Sequence, residues 1–207
     1  MNLPNIIFVL CDDLGINDLH CYGREDHNTP NLDALAEQGA RFTSSYACQA
    51  ICSASRAGLL TGSNPARLHL TTFLPGRANK ISQRVLHPEI MMNVPLDIKT
   101  FPRYFKEAGY KTGFIGKWHV GIEPGPKEHG FDHVYFKGNG RCTTPSETEG
   151  GKAEYELTDE TIKNSLKLVI TSHLLPILDI TLRTSHTQQK TILLIKTKMP
   201  LNLYMRH

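Results

Sequence analysis

Two adjacent carboxylates, Asp12 and Asp13, follow one residue, Cys11, after the apolar run from Asn5 to Leu10. Side by side they repel each other unless a cation lies near them. A hard divalent ion with oxygen ligands is the natural solution. Further along, residues 51–62 read I-C-S-A-S-R-A-G-L-L-T-G, so Cys52, Ser53, Ser55 and Arg56 crowd the start of a helix. Free backbone N–H groups and the helix dipole attract anions at such a start. Arg56, four residues after Cys52, reaches the same face, and a guanidinium fork suits a tetrahedral oxyanion such as phosphate or sulfate. On these residues alone two readings of Cys52 stand: a reactive nucleophile of the cysteine-phosphatase kind, or a structural cysteine beside a salt bridge. The plain alternative for Asp12 and Asp13 is a loop with two solvated carboxylates.

The elements that must hold these groups follow from patterning. Asn5 to Leu10, rich in Ile and Val, reads as a buried, parallel strand. In open α/β sheets ligands bind beyond the carboxyl ends of strands, which is where Asp12 and Asp13 fall. Thr29 as N-cap, Pro30 at the first helical position and Gly39 at the end predict a helix, with Leu32, Leu35 and Ala36 on one buried face. Helices are predicted over Ser53 to Thr61, stopped by Gly62, and over Thr100 to Ala108, closed by Gly109. Strands are expected over Arg41 to Ala47, Lys111 to Trp118 and Gly130 to Phe136. The alternation points to an α/β fold, a mostly parallel sheet flanked by helices.

With 207 residues the chain is long enough for one domain with a core. A net charge of +3 without a basic block gives no support to a nucleic-acid partner. No apolar stretch is long enough to span a bilayer, so no membrane partner is expected. The start, M-N-L-P-N, has neither a basic leader nor a small-residue cleavage site, so no signal peptide is expected. Five cysteines, an odd number at spacings that match no zinc pattern, argue against a disulfide framework. Residues 163–207 differ from the rest, with no glycine and one acidic residue, Asp179. They read as an ordinary terminal segment or as translation out of frame.

C-S-A-S-R followed by A-G-L-L-T-G resembles the signature of the sulfatase family. N-I-I-F-V-L-C-D-D-L-G is similar to that family's first strand and metal-binding aspartates, T-P-N-L-D-A-L-A-E-Q-G-A-R-F to its first helix, and F-K-E-A-G-Y-K-T-G-F-I-G-K-W-H-V-G to its Lys-x-His segment. Four blocks in the family's order cover about residues 4 to 136. The resemblance implies an alkaline-phosphatase-like fold and hydrolysis of a sulfate monoester, aryl or carbohydrate. It also implies calcium, and a formylglycine made from Cys52 by a separate maturation enzyme. Asp12, Asp13 and the converted Cys52 match the metal ligands. Arg56 matches the arginine that steadies the aldehyde hydrate, which is the nucleophile. Lys117 and His119 match the pair that binds the sulfate and handles that hydrate, with His119 the base that takes its second proton. Trp118 reads as packing.

The pattern also departs from the family. Ala54 stands where proline is commoner, and Ser63 follows T-G where arginine is common. Sulfatases are longer, and a second pair of metal ligands with a further lysine and histidine lies downstream of the Lys-x-His block. Nothing after residue 140 matches them: Asp179, His173 and His186 sit in no motif. Leu157 to Ile162 still resembles the family, so a frameshift between residues 160 and 165 is expected. That divides the chain into 1–162, the N-terminal part of a sulfatase catalytic domain, and 163–207, an atypical tail. A chain truncated in this way is expected to turn over little or nothing by itself. The alternatives are a phosphate or phosphonate ester hydrolase of the same superfamily, against which the full C-S-A-S-R speaks, and a non-catalytic sulfatase-derived fragment. The family is often exported or periplasmic. His69 to Arg84, polar and irregular, is a candidate rim for the pocket.

Overall fold

The computed structural model describes residues 5–135, 168–171 and 192–197. In chain order the regular elements are β1 (Asn5–Leu10), α1 (Pro30–Gln38), α2 (Cys52–Thr61), α3 (Phe101–Glu107), β2 (Thr112–Ile115), β3 (His133–Tyr135), β4 (Leu168–Thr171) and β5 (Ile192–Thr197). The strands form one sheet in the order β3-β2-β4-β1-β5. β4 runs parallel to β1, with Ile6 opposite Leu168, and parallel to β2 on its other side. β3 is parallel to β2, while β5 closes the far edge antiparallel to β1. The expected mostly parallel sheet is therefore present. The segment Leu157 to Ile162 and the residues Asp179, His173 and His186 lie outside the described residues.

Alternation along β1 explains why helices lie on both faces. Phe8 and Leu10 join a cluster with Ala54, Ala57 and Leu60 of α2 and with Phe114, Trp118 and Phe131. Val9 and Cys11 point the other way, to Leu14, Leu19 and Leu32 of α1. A strand with both faces covered has little place for polar side chains, which is why Ile6 to Leu10 are all apolar. The buried Cys11 behaves as part of that packing: burial, and then the charge of Asp12, push its thiol up to about 11.

The sequence patterning meets exceptions, one of them the strand expected over Gly130 to Phe136, which begins only at His133 because Gly130 turns at φ 104°. Arg41 to Ala47 is not a strand; the segment bends and is largely exposed. Its backbone is held from the side instead, the Phe42 carbonyl accepting from the Tyr22 hydroxyl at 2.9 Å and Arg41 donating to the Cys21 carbonyl. The expected strand from Lys111 to Trp118 ends at Ile115, because Gly116 takes φ 109° and His119 φ 56°, which turn the chain out of the sheet. Thr29 is the N-cap of α1 as expected, its carbonyl accepting from the Asp33 N–H at 2.9 Å, but its side chain makes no capping hydrogen bond. Its buried hydroxyl donates to Asp33 at 3.0 Å and accepts from the His20 N–H at 3.2 Å, tying the preceding loop to the helix.

Trp118 is the centre of the larger core. Its ring packs edge-on to Phe114 at 5.3 Å and lies 5.5 Å from the imidazole of His129, itself fully buried. Burial first, and then the positive charge of Arg103, hold His129 below its ordinary value of 6.5. The folded protein thus keeps this ring neutral at a pH where the unfolded chain protonates it. Stability is then unaffected by His129 above pH 6.5 and falls as the pH drops below it. Urea midpoints measured between about pH 5 and pH 7.5 should decline on the acid side, and His129→Leu should lessen that decline.

Candidate active site

β1 ends at Leu10, and the chain leaves the sheet through Cys11, Asp12 and Asp13. Asp13 sits in the left-handed region at φ 61°, a conformation aspartate tolerates better than most residues. The turn separates the two carboxylates: Asp12 is directed inward and partly buried, Asp13 outward and exposed. α2 arrives at the same place. Ile51 is its N-cap and Cys52 its first residue, the Ser55 N–H closing the first turn on the Ile51 carbonyl at 2.8 Å. The helix expected from Ser53 thus starts one residue earlier, with Cys52 in its first turn.

The third contribution comes from the turn after β2. Trp118 is drawn into the core, so its neighbours Lys117 and His119 both face away from it toward the ends of β1 and α2. Lys117 Nζ lies 2.5 Å from Asp12 Oδ2. Arg56 is 4% exposed; its Nη1 donates to the Lys117 carbonyl at 2.5 Å and its Nη2 lies 3.4 Å from Asp12 Oδ1. One carboxylate thereby gathers two cations from two distant segments. With Nη2 facing Asp12, Arg56 Nε is buried and without a hydrogen-bond acceptor among the described residues, so a donor remains for an oxygen-rich ligand. Arg56 was expected to face an anion; it is bound first to Asp12.

His119 is fixed by a contact that sequence reasoning missed. Its Nε2 lies 2.9 Å from the Leu74 carbonyl oxygen. A carbonyl only accepts, so Nε2 carries the proton in the neutral ring and Nδ1 is the basic nitrogen. The same Leu74 donates its N–H to Ser53 Oγ at 3.0 Å. Leu74 therefore bridges the start of α2 to the Lys117–His119 turn through backbone atoms, which leave no mark in a sequence. Ser53, fully buried, was visible only as one of several small polar residues.

Asp12, Asp13 and Cys52 each place one ligand atom within 4.8 Å of the other two. Two carboxylates make a hard donor set that fits calcium, whereas a thiol is soft and does not. An oxygen in place of the Cys52 sulfur would make the set uniformly hard. These three are the one such group among the described residues.

A family model described as Sulfatase matches residues 4–178. The N-acetylgalactosamine-6-O-sulfatase of Bacteroides thetaiotaomicron is 44% identical over 121 residues, 58% of this chain and 21% of that protein. Arylsulfatase A of Bos taurus is 43% identical over 132 residues, 62% of this chain and 24% of that protein. Among solved structures, a protein in complex with its substrate D-glucosamine-2-N,6-O-disulfate superposes with a TM-score of 0.64 at 30% identity, covering 83% of this chain and 34% of that one. The chain spans about a quarter of the length of the curated relatives it matches.

The unequal burial of the two aspartates gives a test. Asp12→Asn leaves Arg56 buried without its countercharge and should cost about 3–5 kcal/mol in urea denaturation. Asp13→Asn, at an exposed position, should stay within about 0.5 kcal/mol of the parent.

Proposed function

The chain belongs to the sulfatase family, and from that premise we propose that it carries the nucleophile-bearing part of a site that hydrolyses a sulfate monoester. The observation that carries this reading is the convergence on Asp12. Residues from three separate segments meet there, with Lys117 Nζ 2.5 Å from the carboxylate and the Asp12, Asp13 and Cys52 ligand atoms within 4.8 Å of one another. A sulfate ester needs positive charge around its oxygens and a nucleophile in line with sulfur. Arg56 and Lys117 supply the charge.

Asp12 and Asp13, with the oxygen of a converted Cys52, would hold calcium, which neutralises sulfate oxygens and acidifies a hydroxyl beside it. A formylglycine at position 52, made by a maturation enzyme, would supply as its hydrate a nucleophile with a second hydroxyl in reserve. Arg56 orients that group through the Nε–H donor, which is spent on neither Asp12 nor the Lys117 carbonyl. Lys117 shares its charge between Asp12 and the incoming sulfate. His119, with Nε2 committed to Leu74, takes a proton at Nδ1. Trp118 excludes water behind them and touches no substrate.

Asp12, Asp13, Cys52, Arg56, Lys117 and His119 all lie within 1–162, and the proposal assigns no role to 163–207. The names of relatives support a sulfated sugar or an aryl sulfate as substrate. The runner-up chemistry is hydrolysis of a phosphate ester. Protein co-expressed with a formylglycine-generating enzyme should hydrolyse p-nitrophenyl sulfate in preference to p-nitrophenyl phosphate, weakly for these 207 residues alone. Cys52→Ala should abolish that turnover. Lys117→Ala and His119→Ala should each lower it by about 10²–10⁴-fold. Preference for the phosphate would overturn the assignment.

A further inference from the structure

Ser53 has a place that packing alone does not explain. It is fully buried in the first turn of α2, as are Ala54 and Ala57 in the same helix. An alanine would fill such a position without a polar atom, and a buried hydroxyl costs free energy unless it is hydrogen-bonded. The Ser53 hydroxyl is spent on one backbone group: it accepts from the Leu74 N–H at 3.0 Å. The carbonyl of that same Leu74 accepts from Nε2 of His119 at 2.9 Å. The residue after the proposed nucleophile is thus two hydrogen bonds from the proposed base.

The link between those two bonds is stiff. The N–H and the C=O of Leu74 belong to different peptide planes, hinged at its Cα, so what passes between them is position and not charge. Leu74 and Pro75 are the central pair of a turn closed by the Gly76 N–H on the Phe73 carbonyl at 2.6 Å. Inside the closed turn the Leu74 carbonyl does not swing independently of its amide. The Leu74 side chain is itself packed in the core cluster with Ala54, Ala57 and Trp118. Anchoring the amide to α2 therefore sets where the carbonyl lies.

The His119 end needs a fixed acceptor. Trp118 and Val120 on either side of it are buried, and the Val120 carbonyl accepts from the Val94 N–H at 3.3 Å. These contacts hold the His119 backbone at φ 56°, a conformation that persists only where the surroundings impose it. They do not choose the angle of the half-buried ring; the bond to Leu74 does. α2 so reaches this turn twice. Arg56 Nη1 holds the Lys117 carbonyl, and Ser53 holds the His119 ring through Leu74. We propose that Ser53 is a positioning residue for His119: through the Leu74 turn it keeps Nε2 committed and leaves Nδ1 as the nitrogen that takes the proton.

The base role of His119 rests on the proposed sulfate-ester chemistry, so the test reads position and catalysis apart. NMR of the chain carrying isotope-labelled histidine needs neither calcium nor conversion of Cys52. A slowly exchanging imidazole N–H proton, assigned to His119 by its loss in His119→Ala, should be present in the parent. Ser53→Ala should broaden it beyond detection through exchange with water. Ser55→Ala, which removes another buried hydroxyl from α2, should leave it. In turnover of p-nitrophenyl sulfate, counted per molecule converted at residue 52, Ser53→Ala should lower kcat by about ten- to a hundred-fold and leave KM within about two-fold. Persistence of the proton in Ser53→Ala would overturn the positioning role. A Leu74 amide in the unaltered chain that exchanges with deuterium as freely as an exposed one would overturn it too, whether or not the variant folds. An unchanged kcat in Ser53→Ala beside a loss in His119→Ala would overturn its part in catalysis. Turnover undiminished by His119→Ala would overturn the base assignment itself, and the NMR signal would still decide whether Ser53 holds the ring.

Discussion

The buried half of the site depends on one carboxylate. Asp12 must be compensated because it is largely withdrawn from water, and an unpaired charge there would cost several kcal/mol. Its compensation comes from Arg56 on α2 and Lys117 after β2, residues far apart in the chain. Satisfying Asp12 thus brings the end of β1, the start of α2 and the turn after β2 to one point. In the same contacts Arg56 is buried and tied to the Lys117 carbonyl. The interaction that neutralises the aspartate also orients the two cations that a sulfate would meet.

Each element is shaped for that meeting. After Asn5, β1 spends its alternating side chains on two separate cores, and its carboxylates come only beyond its end. α2 buries Ser53, Ala54 and Ser55, small enough to let the helix start press against the sheet. Gly58 continues this closeness, since a Cβ there would lie 2.4 Å from Cys48 Sγ. The turn after β2 sends Trp118 into the aromatic core, and the positive φ of His119 aims its ring at Leu74. Packing and chemistry alternate residue by residue along this turn.

Much of this was legible in the sequence, for definite reasons. β1, α1 and α2 carry continuous or helical apolar patterns with Pro30 and Gly62 at their ends, and these local signals set their bounds. Arg41 to Ala47 has the β-favouring composition of a strand but exposes it, and composition does not reveal whether a neighbouring strand exists. The insertion of β4 between β1 and β2 is a long-range pairing with no local signature. At the site, the placement of Asp12, Asp13 and Cys52 followed from strand end and helix start. Lys117 and His119 were found through family resemblance, since a lysine and a histidine two apart carry no signal of their own. The bridging role of Leu74 was out of reach, because it acts through its N–H and C=O.

Conversion of Cys52 is the step on which the proposed chemistry turns, because a thiol in this donor set suits neither calcium nor the release of sulfate. The decisive measurement is the mass spectrum of the peptide containing residue 52, from protein co-expressed with a formylglycine-generating enzyme. A peptide that has lost the sulfur of Cys52 and reacts with a hydrazide is the expected result. An unmodified thiol, where a known sulfatase made in the same cells is converted, would contradict it.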